Sequence, residues 1–150
     1  MLLIALLAHG LISTALIGAL THQLVSISMP ALATSGFVTR YRGVNSQIFT
    51  HAICLLYVLS VVAGAWIYPD YRLETRIALE EMQIEWLIGL FEIKEHWGAL
   101  GLLLLPLYRH QWLHYTDTER PSPTLITATL TTIVWFNFIA GHIVNNARGL

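Results

Sequence analysis

Four stretches of this sequence, Leu2–Ser26, Gln47–Tyr68, Leu87–Tyr108 and Pro121–Val144, are apolar and long. A hydrocarbon core about 30 Å thick takes roughly 20 helical residues to cross, and each stretch meets that length. None alternates as a strand would, and an open sheet would leave unpaired backbone in lipid, so helices are expected. Of the 150 residues, 55% are hydrophobic and only 11% are charged. A soluble domain uses roughly one-quarter charged residues to keep its surface wet. The expected fold is therefore an all-α integral membrane protein. It is a four-transmembrane-helix up-down bundle, a single domain over residues 1–150, with a short amphipathic segment before the third helix. The first span lacks a basic leading region and a small-residue cleavage pattern, and is read as a retained helix.

The connections carry the remaining polarity. Met29–Ser46 holds a proline, two glycines, Arg40 and Arg42. Pro69–Trp86 is acidic and mixes Ile77, Leu79, Met82 and Ile84 with Glu74, Glu80, Glu81 and Glu85, the pattern of an amphipathic helix. His110–Arg120 is short and polar, and Pro121 and Pro123 suit the first turn of the fourth span. Side A is defined as the face holding both termini, and side B as the face holding the first and third loops. Lysine and arginine divide equally between the two. The short loop with Arg40 and Arg42 tips side B toward the cytoplasm, which places both termini in the periplasm of a bacterial inner membrane.

Seven histidines stand in a chain that buries a polar ring only at a cost. Helical rise, about 1.5 Å per residue, sorts six of them into two depths. His9, His96 and His142 lie toward side A; His22, His51 and His110 lie toward side B. His114, one turn beyond His110, falls at the water interface. Alternating steps of four and three residues through His142 thread Thr124, Ala128, Thr131, Trp135, Phe138 and Asn145, a polar and aromatic stripe expected to face other helices. The same steps give Gly89, Glu92, His96, Ala99, Leu103, Pro106 and His110 in the third span. In the second they give Gln47, His51, Cys54, Val58, Val61 and Ala65, beside Thr50, Tyr57 and Gly64. All these histidines are expected to point inward. Trp66, Trp86, Trp97 and Trp112, with Tyr68, Tyr71, Tyr108 and Tyr115, read as interfacial belts.

Two levels of imidazole inside a membrane match what b-type haem requires. Its iron takes neutral imidazole nitrogens from two helices, and the flat macrocycle needs small residues where backbones approach. Gly10, Ala52, Gly98, Gly101 and Gly141, each close to a histidine, provide that room. Haem propionates call for cations or donors: Lys94, Arg148 and Asn145 on side A, and Arg40, Arg42 and Arg109 on side B. Glu92 and Glu95 are candidates for a quinone edge or a proton relay. Structurally they read instead as the interfacial start of the third span.

His96 and His110, 14 residues apart on one span, together with histidines on neighbouring spans, resemble the di-haem cytochrome b subunits. Those subunits anchor quinone-linked membrane dehydrogenases and the quinol–cytochrome c reductases. The resemblance is architectural and implies two haem b groups and a quinone. His9 and His22 depart from the spacing, since 13 residues place them about 140° apart round a helix.

The expected function is a b-type haem membrane subunit that transfers electrons across or within the bilayer, between a quinone pool and a partner redox subunit. Two of His9, His96 and His142 would hold one haem iron, and two of His22, His51 and His110 the other. No substrate-oxidising domain is visible, so a non-catalytic subunit of a larger complex is expected, docking through the acidic Asp70–Glu85 segment. A cofactor-free structural or assembly subunit is the alternative, as is a membrane histidine-ligated metal site, for which His110 and His114 have the spacing of one histidine box. A net charge of −1 gives no basic footprint for nucleic acid. The single cysteine, Cys54, makes no internal disulfide, and without C-x-x-C-H there is no covalent c-type haem.

Overall fold

The computed structural model describes residues 2–28, 36, 46–114 and 121–147. Their regular structure is entirely helical: α1 (Leu2–Ser28), α2 (Ser46–Asp70), a π-helical turn (Tyr71–Thr75), α3 (Arg76–Glu81), α4 (Glu85–His114) and α5 (Pro121–Ala147). Three helical stretches, Leu2–Ser28, Ile48–Glu81 and Ser122–Ala147, are long and apolar enough to cross a membrane. The remaining long helix, α4, has 30 residues and carries Glu85, Glu92, Lys94 and Glu95 in its first turns.

The four long helices close into a ring in which α1 touches α2 and α5, and α4 touches α2 and α5. Neighbours run antiparallel. Ser13 meets Ser60 across α1 and α2 at 3.1 Å, and the His22 ring stacks on Phe49 at 5.4 Å further along the same pair. Large apolar side chains cover the outside, Ile4, Leu11, Leu103 and Leu125 each being more than 70% exposed. A surface of this kind belongs against lipid rather than water. Helix α5 carries an unusual load of threonine, and it satisfies those hydroxyls internally. Thr127, Thr129, Thr131 and Thr132 each donate to the carbonyl four residues earlier, at 2.6–3.0 Å.

The inward faces differ from those expected through the histidines. On α4 the buried line runs Leu87, Ile88, Gly101, Leu105, Tyr108 and Trp112. This line stands two residues out of step with the stripe through His96 and His110, which puts the two about 200° apart, on opposite faces. On α5, Ile126, Leu130, Ile133 and Val134 are buried where lipid contact was expected, while Trp135 is 41% exposed. On α2 the buried positions are Thr50, Ile53 and Tyr57, beside the His51 stripe rather than on it. The physical reason is that the polar groups carried inward are the hydroxyls of Thr50, Tyr57, Thr127 and Thr131, packed among large apolar side chains, and not the imidazoles.

The acidic connection is helical, but it continues α2 instead of standing apart. Pro69 removes one backbone donor from the last turn of α2. The π-helical turn that follows absorbs the irregularity, with the Arg76 N–H donating to the Tyr71 carbonyl. The chain reverses only after α3. Gln83 takes φ 59° there; its N–H donates to Glu80 and that of Ile84 to Leu79, both at 3.0 Å. This is a Schellman closure with glutamine where glycine is the usual occupant. Left-handed backbone costs an L residue about 1 kcal/mol. Gln83→Gly is therefore expected to stabilise the fold by about 0.5–1 kcal/mol after the larger chain entropy of glycine is counted. Gln83→Val should destabilise it. Thermal unfolding in detergent measures both, and a glycine variant that melts lower would contradict the assignment.

Candidate functional site

The ring is built differently at its two ends. Toward side B its interior is filled. Tyr108 donates to Gln23 Oε1 at 2.5 Å, and Trp112 Nε1 donates to Thr127 Oγ1 at 2.9 Å. Gln23, Tyr108, Thr50 and Thr127 are fully buried, among Leu20, Ile53 and Leu130. Tyr108 and Trp112, expected in an interfacial belt, are thus core residues. Trp66 and Trp86, at 71% and 65% exposed, do lie on the surface as a belt requires.

Toward side A the same ring opens into a cavity of about 760 Å³. Its floor is Tyr57, whose hydroxyl donates to the Gly98 carbonyl at 3.0 Å. Gly101 makes that bond possible: a Cβ there would overlap the Tyr57 hydroxyl and stand 2.7 Å from the ring carbon bearing it. Three further glycines each face a polar side chain of a neighbouring helix. A Cβ on Gly64 would touch the His9 ring at 3.5 Å, one on Gly98 the Asn137 amide at 3.3 Å, and one on Gly141 the Lys94 stem at 3.6 Å. Small residues on α2, α4 and α5 thereby admit an imidazole, an amide and an ammonium to an otherwise apolar interior.

His9 from α1, Lys94 and Glu95 from α4, and Asn137, His142 and Asn145 from α5 all line this cavity. His9 Nδ1 and Asn137 Oδ1 are buried without a hydrogen-bond partner. His142, expected to point inward, is exposed at the cavity's edge and meets Phe138 edge-on at 4.4 Å. The Lys94 ammonium lies over the Phe91 ring, 4.8 Å from its centroid, a contact worth about 0.5–2 kcal/mol as water is withdrawn. Phe91 in turn stacks on Tyr71 at 3.5 Å. The π-helical turn that carries Tyr71 therefore positions the platform on which the cation rests.

The other expected site residues lie elsewhere. His96 is exposed on the outer face of α4, its Nδ1 2.6 Å from the Glu92 carbonyl, and it does not line the cavity. Glu92 turns toward Arg76, at 3.8 Å, which also holds Glu80 at 2.9 Å. His51, Arg109 and His110 are exposed, and His22 is half-buried against Phe49. The side-B histidines therefore surround the filled core rather than enter it. Arg40 and Arg148 lie outside the described residues, as do Arg42 and Arg120. Among the described residues no group of three or more His, Cys, Asp or Glu side chains stands together as a metal site.

Tyr57, Asn137 and the Gln23–Tyr108 pair were not picked out as functional groups. Their signal in the sequence was a hydrogen-bonding side chain inside an apolar run, aligned with glycine or threonine rather than with histidine. No protein-family model, curated protein or solved structure matches the chain.

The Gln23–Tyr108 pair can be tested directly. Tyr108→Phe leaves a fully buried amide without its donor and is expected to destabilise the protein by about 1–3 kcal/mol. Adding Gln23→Leu to that variant should recover much of the loss, because both polar partners are then gone. Denaturant unfolding of the single and double variants in detergent reads the difference. Additive losses would mean that the bond contributes nothing.

Proposed function

We propose that this chain is a four-span membrane electron-transfer subunit whose side-A cavity holds one b-type haem, with His9 and His142 as the residues that would bind its iron. The observation that carries the reading is their convergence, from the first and last long helices, on one cavity of about 760 Å³. Ligand pockets run from about 300 to 1,000 Å³. Reading α4 as the fourth span is supported by its place in the closed ring and by the absence of Asp, Glu, Lys and Arg from His96 to Tyr108.

The residues present fit the group. Two imidazoles supply nitrogen ligands, and Gly64, Gly98 and Gly141 clear wall space. Lys94 and Asn145, on the cavity wall, provide a cation and an amide for propionate carboxylates. The unpartnered His9 Nδ1 is a buried nitrogen for which a bound iron would supply the missing interaction. Bound haem would contribute a one-electron couple. Glu95, on the cavity wall, would exchange a proton at a quinone edge, while Lys94 would hold negative charge inside the cavity. A second haem at the side-B level has no such support, because Tyr108, Gln23, Trp112 and Thr127 occupy the interior there. Electrons would pass between a quinone pool and a partner subunit docked on the exposed acids Glu74, Glu80, Glu81 and Glu85 at side A. That arrangement fits an inner membrane with both termini periplasmic.

A pyridine haemochrome of the purified, detergent-solubilised chain tests the proposal. One b haem per chain is expected, abolished by His9→Ala and by His142→Ala and retained in His96→Ala, His51→Ala and His110→Ala. A chain purified without haem would overturn the reading in favour of a cofactor-free structural subunit. Two haems per chain would overturn the single-site assignment.

A further inference from the structure

We propose that His110 and His114, at the side-B end of α4, form a surface site for a divalent transition-metal ion. The two residues are one helical turn apart, so their side chains leave the same face. Their rings stack with centroids 4.7 Å apart and planes inclined by 26°. The His114 Nδ1 stands 3.0 Å from the His110 carbonyl. A carbonyl only accepts, so Nδ1 carries the proton and the Nε2 lone pair is left for a ligand. The same arrangement orients and fixes the tautomer of metal-binding histidines.

Two further features favour a cation at this place. Both rings are exposed, so side-chain rotation can bring each Nε2 to the roughly 2.0–2.1 Å that imidazole–metal bonds require. His114 stands in the last described turn of α4, toward the C-terminal, negative end of the helix dipole. Imidazole selects zinc, copper and nickel over magnesium and calcium. With two protein ligands the remaining coordination positions belong to water or to a docking partner. The site is therefore an exchangeable one, unlike a closed four-ligand structural centre. It uses neither cavity histidine and stands independently of the haem reading.

Copper(II) is the probe of choice, added at one equivalent to the untagged full chain in detergent. Electron paramagnetic resonance is expected to show nitrogen hyperfine structure from two imidazoles, and zinc should displace the signal. His110→Ala and His114→Ala should each weaken copper binding by about ten-fold or more, since losing even an outer-shell partner costs that much. Both positions are exposed, so the variants should keep the wild-type melting profile, and His51→Ala should leave binding unchanged. A two-nitrogen signal that survives the double variant, or one lost equally in His51→Ala, would overturn the site.

Discussion

The bond from the Tyr57 hydroxyl to the Gly98 carbonyl divides this bundle into its two halves. A phenol entering so apolar an interior has no water to fall back on, so it must find an acceptor on a neighbouring helix. The acceptor here is backbone, which is reachable only because Gly101, less than one turn further along α4, has no side chain in the way. Ile133 of α5 closes the same contact, 3.2 Å from where a Cβ on Gly101 would stand. Three helices therefore meet on one ring, and that ring becomes the floor of everything toward side A.

Below the floor, polar groups are consumed by one another. Tyr108 takes Gln23, Trp112 takes Thr127, and Thr127 also returns its hydroxyl to the Pro123 carbonyl at 2.6 Å. Two buried groups among the described residues, Gln23 Nε2 and Thr50 Oγ1, lack a hydrogen-bond partner in this half, as His9 Nδ1, Asn137 Oδ1 and the Tyr71 hydroxyl do in the other. The difference lies in the surroundings. Gln23 is enclosed by close-packed side chains, whereas His9 and Asn137 face a space large enough for a ligand. An unpartnered polar atom at a cavity wall is a functional signal. The same atom in a filled core is a stability cost.

Helix existence, length and antiparallel order were legible in the sequence, because lipid thickness and the polar connections fix them. Of the three histidines expected at the side-A depth, His9 and His142 line one cavity and His96 does not. Facing was not legible. In a soluble helix the apolar stripe marks the core, but Leu102–Leu105 offers a continuous apolar run whose members meet lipid or protein equally well. Information about facing then resides in glycine, threonine and tyrosine. Gly98 and Gly101 were noticed as room for a macrocycle when they were also room for Asn137 and Tyr57. Pro69 was an ambiguous mark for a similar reason, since a π-helical turn let α2 run on past it.

The histidines themselves explain why the stripe through them failed. His96 and His114 each place Nδ1 against the carbonyl of the residue four earlier, so half of the ring's hydrogen-bonding need is met by its own helix. A ring satisfied in this way tolerates the outside of a bundle, where its Nε2 can reach the headgroup region, and exerts little pull toward the interior. His9 makes no such bond to its own helix through Nδ1, which lies buried and unpartnered beside the cavity. Depth alone therefore grouped side chains of two kinds. Among the described histidines a buried ring nitrogen without a partner occurs at His9, whereas His142 reaches the same cavity from an exposed position.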